Sequence, residues 1–412
     1  MALPMSKRRR RIEVVVESLA AGGDGVARGE DGRVTFVPRA APGDTLLVSL
    51  VQERKQFARG KIAKVLKPSE LRVEPRCNLF AEERCGGCQW QHIEQETQHA
   101  AKQMIVEQGL RRAIGLGMEC ATVLEPCPPW QWRRRARFSF WAGGPKVLGF
   151  FPQGDKKITD VAECPQLAKG LQTALTAIRT HLLPGLSARG EVSVVLGSDG
   201  TAHVAVHGSA TRKSIEALAA DPIIGGVSHG TRSSGAKHVR LEGGVPASAD
   251  SFAQASAEGN EALCEEVVKA VGDVSGLRVL ELFAGSGNFT RLLTKATEVV
   301  AIESAPLFEG DDAISARWIR GDAATTAAAL AADGERFDVV LLDPPRSGAR
   351  EVVESIAALG PKRIVYVSCD VATLSRDIET LTALGYKAVR AQPIDLMPQT
   401  AQVEVVAVLE LA

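Results

Sequence analysis

At 412 residues the chain is long enough for two or three domains, each with its own core. Lysine plus arginine equals aspartate plus glutamate, 49 against 49, so attraction to a polyanion must come from local patches and not from net charge. No apolar run approaches the ~18 residues of a membrane span, and Glu13 and Glu17 interrupt the stretch after Lys7-Arg8-Arg9-Arg10-Arg11 where a secretory core would lie. A cytoplasmic monomer with no membrane contact is expected. Cysteines at 77, 85, 88, 120, 127, 164, 264 and 369 are unevenly spaced, which suggests metal binding or catalysis before a disulfide framework.

The first seventy residues carry fourteen basic and eight acidic side chains. Apolar or alternating runs at 12–16, 34–37, 45–50 and 61–66 are separated by turn chemistry at Gly22-Gly23-Asp24-Gly25, Glu30-Asp31-Gly32 and Ala41-Pro42-Gly43-Asp44. This pattern predicts a small OB-like β-barrel over 1–70. Its basic loops suit a nucleic-acid platform, or merely keep the surface solvated.

Next come Cys77, Cys85 and Cys88, the last two separated by Gly86-Gly87, which lets the backbone fold tightly round one metal centre. Cys164, just before Pro165, is the best candidate for a fourth ligand. Four thiolates fit a [4Fe-4S] cluster or a zinc site, with His92 and His99 as competing zinc ligands, and spacing alone does not choose. The long gap between Cys77 and Cys85 is unlike a radical-generating C-x3-C-x2-C triplet, so the centre is expected to be structural.

Helical spacing is predicted over 98–116. Then Trp130-Gln131-Trp132-Arg133-Arg134-Arg135-Ala136-Arg137-Phe138-Ser139-Phe140-Trp141 interleaves rings with arginines. On a strand it either meets single-stranded bases and phosphates or turns its rings inward and its arginines to water. Runs at 147–151, 191–197 and 202–206 with a helix near 167–182 predict a central, mainly β, α+β domain over 71–250.

Beyond a boundary near 249–254 strand and helix alternate, predicting a doubly wound α/β domain over 251–412. Runs at 277–280, 298–302, 337–342 and 363–368 end near Glu281, Glu303, Asp343 and Cys369. As parallel strands they would deliver these residues to one rim, where open α/β sheets bind ligands. Glu281-Leu282-Phe283-Ala284-Gly285-Ser286-Gly287-Asn288 opens a predicted helix, but a dinucleotide fingerprint would need a third glycine where Thr290 stands. It is more similar to the first motif of S-adenosylmethionine-dependent methyltransferases. Glu303 is then placed for the ribose hydroxyls and Asp322 for the adenine; either can equally be an ordinary cap. In Asp343-Pro344-Pro345-Arg346 the prolines lock the chain behind the strand. Arg346 stands where amino-directed methyltransferases carry an aromatic, which argues against methylation of an exocyclic amine.

A lone cysteine is more often a small buried hydrophobe than a nucleophile, yet Cys369 has company. C5 of uracil is too weak a carbon nucleophile to take a methyl group unaided, and a thiolate adding at C6 makes it one. A base must afterwards remove the C5 proton. Glu404 lies within a β-branched run, where a buried carboxylate is costly without a role, unless the strand is an edge and the glutamate faces solvent.

With Ser368-Cys369-Asp370, Asp343-Pro344-Pro345-Arg346, Met397-Pro398-Gln399-Thr400 leading to Glu404, and the four cysteines, almost the whole chain resembles the RNA (uracil-5-)-methyltransferase family. The resemblance is to the branch with a TRAM domain and an iron-sulfur cluster, whose best-known members methylate 23S ribosomal RNA. It implies a Rossmann-like methyltransferase domain, an N-terminal TRAM barrel that binds RNA, Cys369 as nucleophile and Glu404 as base. It implies Gln254, Asp343 and Arg346 at the target base, and Gln254, Phe283, Gly285, Gly287, Asn288, Glu303, Asp322 and Asp343 around S-adenosylmethionine. Cys77, Cys85, Cys88 and Cys164 would hold a [4Fe-4S] cluster. Departures are the long gap after Cys77, Gln402 and Ser256 in place of a usual histidine and asparagine, and a shortened segment at 309–316 after Glu303. An RNA cytosine-C5 methyltransferase would use the same thiol addition, but its RNA members tend to carry a second cysteine after the Asp-x-Pro motif, where Arg346 stands. A non-catalytic RNA-binding scaffold would not require thiol, base and donor loop together.

Overall fold

Period-two burial runs through the first strands of the computed structural model, which describes residues 10–305 and 315–412. The chain divides into two compact units, Met1–Ile105 with Gln399–Gln402, and Val106–Pro398 with Val403–Ala412. In the first, β1 (Arg11–Leu19), β2 (Gly25–Arg28), β3 (Val34–Val37), β4 (Thr45–Glu53) and β5 (Phe57–Lys67) close into a barrel in the order β1-β2-β3-β5-β4. Val14, Val16, Ala27, Val37, Leu46, Val48 and Leu50 fill it, while Glu13, Val15 and Glu17 alternate outward. The four runs legible in the sequence become five strands, the added one being β2, whose Gly25-Val26-Ala27-Arg28 has a single β-branched residue and follows directly on the Gly22–Gly25 turn. Of the basic cluster at 7–11, Lys7, Arg8 and Arg9 lie outside the described residues.

Asp44 ties the barrel to the chain that leaves it. Its fully buried carboxylate accepts from the N–H of Ala41 at 2.7 Å and of Ser69 at 3.0 Å, and from Arg72 at 2.7 and 2.8 Å. Burial alone would raise its pKa, but the Arg72 and backbone bonds prevail and hold the carboxyl below its ordinary value. Breaking a buried pair from one side leaves the other charge unsatisfied, so Asp44→Ala is expected to cost about 3–5 kcal/mol in urea unfolding near neutral pH. The wild type should lose this contribution as pH falls through the depressed carboxyl pKa.

Gln399 belongs to this unit too, in the left-handed region at φ 66. Its side-chain oxygen accepts from Gln98 at 3.1 Å, its N–H donates to Gln98 at 3.0 Å, and its carbonyl takes the N–H groups of Gln89 and Trp90. The helix expected over 98–116 begins earlier and is split into α2 (Gln95–Gly109) and α3 (Arg111–Gly115), after the short α1 (Asn78–Ala81). Gly109, a weak helix former, ends the first piece.

The second unit holds two large sheets. After the short β6 (Glu119–Cys120) come β7 (Arg135–Trp141), β8 (Val147–Phe150), β9 (Thr159–Asp160), β10 (Leu186–Leu196), β11 (Ala202–Ala210), β12 (Ile224–His229) and β13 (Arg232–Gly235). These seven after β6 form one sheet in the order β13-β12-β11-β10-β7-β8-β9, with α4 (Lys169–Ala177) and α5 (Arg212–Ala219) between strands. The helix expected near 167–182 is α4 continued by a π-helical turn, Ile178–Leu182. A two-stranded piece, β14 (Val239–Arg240) and β15 (Pro246–Ala247), precedes α6 (Ala257–Val271).

The other sheet is built from β16 (Arg278–Leu282), β17 (Glu298–Glu303), β18 (Arg317–Arg320), β19 (Val339–Leu342), β20 (Arg363–Ser368), β21 (Tyr386–Ile394) and β22 (Glu404–Leu411), in the order β18-β17-β16-β19-β20-β22-β21-β6. The first five in that order are parallel, and β22 runs antiparallel to β20. Their apolar runs are buried on both faces, as parallel strands under helices must be. Helices α7 (Ala323–Ala332), α8 (Val353–Leu359) and α9 (Val371–Ala383) fall between strands.

Two expectations are corrected here. Glu281 does not follow a strand; it lies within β16, which runs on to Leu282. The glycine loop opens no α-helix either, only a 3-10 turn at Thr290–Leu292. The chain returns at Glu298, and Thr290, Thr294 and Thr297 are poor helix formers. Most of the shortened segment at 309–316 lies outside the described residues.

Candidate active site

β16 and β19 are parallel neighbours with Leu282 opposite Leu342, while β17 and β18 extend from the other side of β16. Strand order reverses between β16 and β19, so the loops leaving them open at the switch point of the sheet. A cleft there is lined by Gln254, Phe283, Gly285, Asn288 and Asp343, five of the residues expected at the methyl donor. Arg134, from the arginine run, lines it as well, as do Phe252 and Asn260, which were given no role in the sequence. Phe283 sits at φ 61, a conformation that bulky residues seldom adopt, and Gly285 and Gly287 follow at 58 and 83. A Cβ on Gly285 would meet nothing within 4 Å, so the backbone there is open to a ligand.

Asn288 and Asn260 exchange amide bonds of 2.8 and 3.0 Å, which pin the glycine loop to α6. Ser256, where an asparagine was expected, caps that helix by accepting from the N–H of Gly259. Arg134 turns inward from its arginine run, donating to the Gln254 carbonyl at 3.0 Å and pairing with Glu242. Glu303 accepts from the N–H of Gly285 at 2.8 Å and of Ala305 at 2.7 Å, so its carboxylate braces the loop. Asp322 is not among the residues lining the cleft. It caps α7 through the N–H of Thr325 at 2.9 Å, and this bonding holds its carboxyl below the usual range. Glu281 is buried, with Oε2 lacking a partner among the described residues, and burial above all pushes its carboxyl up to about 8. The open glycine backbone and the Asp343 carboxyl that line the cleft fit a ligand bearing an amino group, as the amino-acid part of S-adenosylmethionine does.

The second half of the site comes from strand register. In the β20–β22 pair Val367 faces Val406 and Ser368 faces Val405. Glu404 opens β22, and Cys369 follows the last paired residue of β20, close enough for the Glu404 carboxylate to act on the thiol. Ser368 brackets the thiol residue, its hydroxyl donating to the Asp370 carbonyl and accepting from the Asp370 N–H. Asp370 caps α9 by accepting from Thr373 at 2.9 Å, so Cys369 precedes a helix N-terminus, whose dipole favours a thiolate. Burial opposes this most, Glu404 and Asp343 add to it, Arg346 works against it, and the thiol is pushed up to about 11. Glu404 is buried, not solvent-facing; burial and then Asp343 raise its carboxyl well above the ordinary value, against Arg346. Burial raises Asp343 too. Thiol, two carboxyls and one guanidinium therefore form a single electrostatic group, and Asp343 also lines the donor cleft.

α9 also secures the Pro-Pro-Arg loop. Asp377, a residue with no signature in the sequence, accepts from the N–H of Ala349 at 2.7 Å and from the Tyr366 hydroxyl at 2.8 Å. Arg376 reaches the Ser347 carbonyl at 3.0 Å.

In the first unit, Cys77, Cys85 and Cys88 are each partly exposed, and the Cys85 sulfur accepts from the N–H of Gly87 at 3.4 Å. Arg39 lies within electrostatic reach of Cys85 and Cys88. Two of the three thiols thus lie near a cation, the donor chemistry of an anionic thiolate centre. Among the described residues, however, no three His, Cys, Asp or Glu side chains converge closely enough to hold a metal. His92, the competing zinc ligand, is buried and stacked 5.7 Å from Phe80, and burial pulls its pKa down to about 4.

A doubly wound sheet with its cleft at the switch point, together with a closed N-terminal barrel, defines a methyltransferase carrying a TRAM domain. Residues 5–63 match the TRAM domain model, and residues 328–411 match that of tRNA (Uracil-5-)-methyltransferase. The chain is 32% identical over 434 residues to the 23S rRNA (uracil(1939)-C(5))-methyltransferase RlmD of Vibrio parahaemolyticus, covering 97% of this chain and 96% of that one. To the enzyme of the same name from Cronobacter sakazakii it is 34% identical, covering 98% and 96%. The crystal structure of Pyrococcus abyssi tRNA (uracil-54, C5)-methyltransferase in complex with S-adenosyl-L-homocysteine superposes with a TM-score of 0.72 at 21% identity, over 97% of this chain and 99% of that one. The chain belongs to the RNA uracil-C5 methyltransferase family.

Proposed function

We propose that this chain transfers the methyl group of S-adenosylmethionine to C5 of a uridine in 23S ribosomal RNA, the position named in its relatives being the first to examine. The β20–β22 pairing, at whose end Cys369 and Glu404 lie within electrostatic reach of each other and of Asp343 in the donor cleft, supports this reading. S-adenosylmethionine supplies the methyl group and, while bound, a positive sulfonium. Gln254, Phe283, Gly285, Gly287, Asn288 and Glu303 are its proposed contacts, and the capping role of Asp322 makes it the weakest member of the set. The Cys369 thiolate adds at C6 of the uracil, C5 takes the methyl group as the donor's S–CH3 bond breaks to leave S-adenosylhomocysteine, Glu404 removes the C5 proton, and the C6–S bond then breaks. Asp343, Gln254 and Arg346 hold the base. At rest the raised carboxyl and thiol pKa values keep protons on the site, and Arg346 favours their release. A rim thiol reaches only an unstacked base, so the target uridine is flipped out.

The roles divide among an RNA-gripping barrel at 1–70, a central segment at 71–250 and the catalytic segment at 251–412, in a cytoplasmic monomer. In a strain lacking the chain, 5-methyluridine should disappear from one position of 23S RNA and return with the wild type but not with Cys369→Ala. Loss from transfer RNA alone would move the target.

Cys77, Cys85, Cys88 and Cys164 are the proposed ligands of a [4Fe-4S] cluster, supported by the donor chemistry beside Arg39. Anaerobically purified protein should then contain about four iron atoms per chain with matching sulfide. Zinc in place of iron would instead indicate a four-thiolate zinc site.

A further inference from the structure

The seven-stranded sheet has a face that the catalytic chemistry does not use. Along β7, Ala136, Phe138 and Phe140 enter the core, while Arg135, Arg137, Ser139 and Trp141 alternate away from it. Pairing sets Arg189 of β10 and Val147 of β8 opposite Trp141. Trp141 and Phe151 are 40% and 42% exposed, and with Lys156, Lys157 and Arg189 they line a cleft of about 940 Å³. The Arg189 guanidinium lies 5.4 Å from the Trp141 ring centroid. Two carboxylates lie in the cleft, both engaged: Glu191 pairs with Arg137 at 3.7 Å, and Asp155 accepts from the backbone N–H of Lys156 and Lys157. No ion pair among the described residues uses Lys156, Lys157 or Arg189.

The opposite end of β7 reaches the donor cleft. The Arg135 guanidinium lies 5.8 Å from the ring of Phe252, which is 66% exposed and lines that cleft. From Arg135 to Trp141 the strand advances about 20 Å.

We propose that this face is the track for unpaired nucleotides flanking the target uridine, with a base stacked in the Trp141–Phe151 cleft and phosphates met by Lys156, Lys157 and Arg189. Flat exposed rings flanked by cations match single-stranded RNA, which offers a π-face and a phosphate at each nucleotide; a duplex hides its base faces. This rests on the RNA reading above and names where the rest of the substrate lies.

The test uses the full-length protein and a fluorescein-labelled, uridine-rich single-stranded RNA of about 20 nucleotides, longer than one binding module spans. Trp141→Ala with Phe151→Ala should weaken binding on the order of tenfold or more, and Trp141→Phe should largely retain it, because stacking tolerates a change of ring. Lys156→Ala, Lys157→Ala and Arg189→Ala together should reduce the slope of log affinity against log salt by about two. S-adenosylmethionine affinity should not change in any of these variants. Unchanged affinity in the aromatic variant together with an unchanged salt slope in the triple variant overturns the proposal. If the wild type binds RNA through this face yet forms no adduct with 5-fluorouridine RNA, the methyl-transfer reading fails and this one stands. If the adduct forms and neither set of substitutions changes affinity, this one falls alone.

Discussion

Cys369→Ala is expected to abolish both methyl transfer and the covalent adduct with 5-fluorouridine RNA, with turnover reduced at least roughly 10⁴-fold, the scale of losing a nucleophile. Binding of S-adenosylmethionine should survive, since the thiol is not among the residues lining the donor cleft. The same cysteine has a pH signature. Its thiol is pushed up to about 11 by burial, Glu404 and Asp343, so at neutral pH it is mostly protonated and its reactivity should climb as pH rises. Alkylation of the ligand-free protein by iodoacetamide, followed at Cys369 by mass spectrometry, should increase through pH 7 to 10 without levelling. Asp343→Asn removes one of the charges that hold the proton, so alkylation at a fixed pH should become faster. A plateau near neutrality in the wild type would contradict the electrostatic account.

Glu404→Gln should stop the reaction one step later. The thiol can still add and C5 can still take the methyl group, but the C5 proton then has no base to accept it. Turnover is expected to fall by about 10²–10⁴-fold, and a methylated RNA–protein adduct should accumulate with ordinary uridine RNA, seen as a shifted, methyl-labelled band on a denaturing gel. Normal release of product would remove Glu404 from the mechanism. Stability gives an independent check. Burial, reinforced by Asp343, raises the carboxyl pKa of Glu404 in the folded protein, so its neutral form fits the site. Its contribution is fully present below the ordinary carboxylate pKa and is lost as pH rises through the raised value. Glutamine cannot ionise, so the variant should melt above the wild type at pH 9 and close to it at pH 5.

Residues whose position follows from their own loop or strand end were legible. Asp343 follows a run buried on both faces, Phe283 to Asn288 follows another, and both meet in one cleft. Glu404 was legible because a carboxylate inside a β-branched run must be explained, and it is buried. The arginine run at 133–137 was not legible residue by residue. Arg134 turns to Glu242 and the Gln254 carbonyl, whereas Arg135 and Arg137 alternate onto the outer face; period two puts Arg134 in phase with Ala136, Phe138 and Phe140, but its two partners lie more than a hundred residues away. Asp377 was hidden because its two partners, Ala349 and Tyr366, are distant in sequence and are brought to it by β20 and α9.

The sequence by itself determined the chemical inventory: a thiol at a strand end, a carboxylate in an apolar strand, a glycine loop, and a barrel of short alternating strands. Those features depend on residue type and near-neighbour spacing. Only the tertiary structure decided that β22 enters antiparallel beside β20, bringing Glu404 within electrostatic reach of Cys369, and that strand order reverses between β16 and β19. Pairing between strands some forty residues apart is set by how the whole sheet buries its two faces. A slip of one residue would have turned the carboxylate to the opposite face of the sheet.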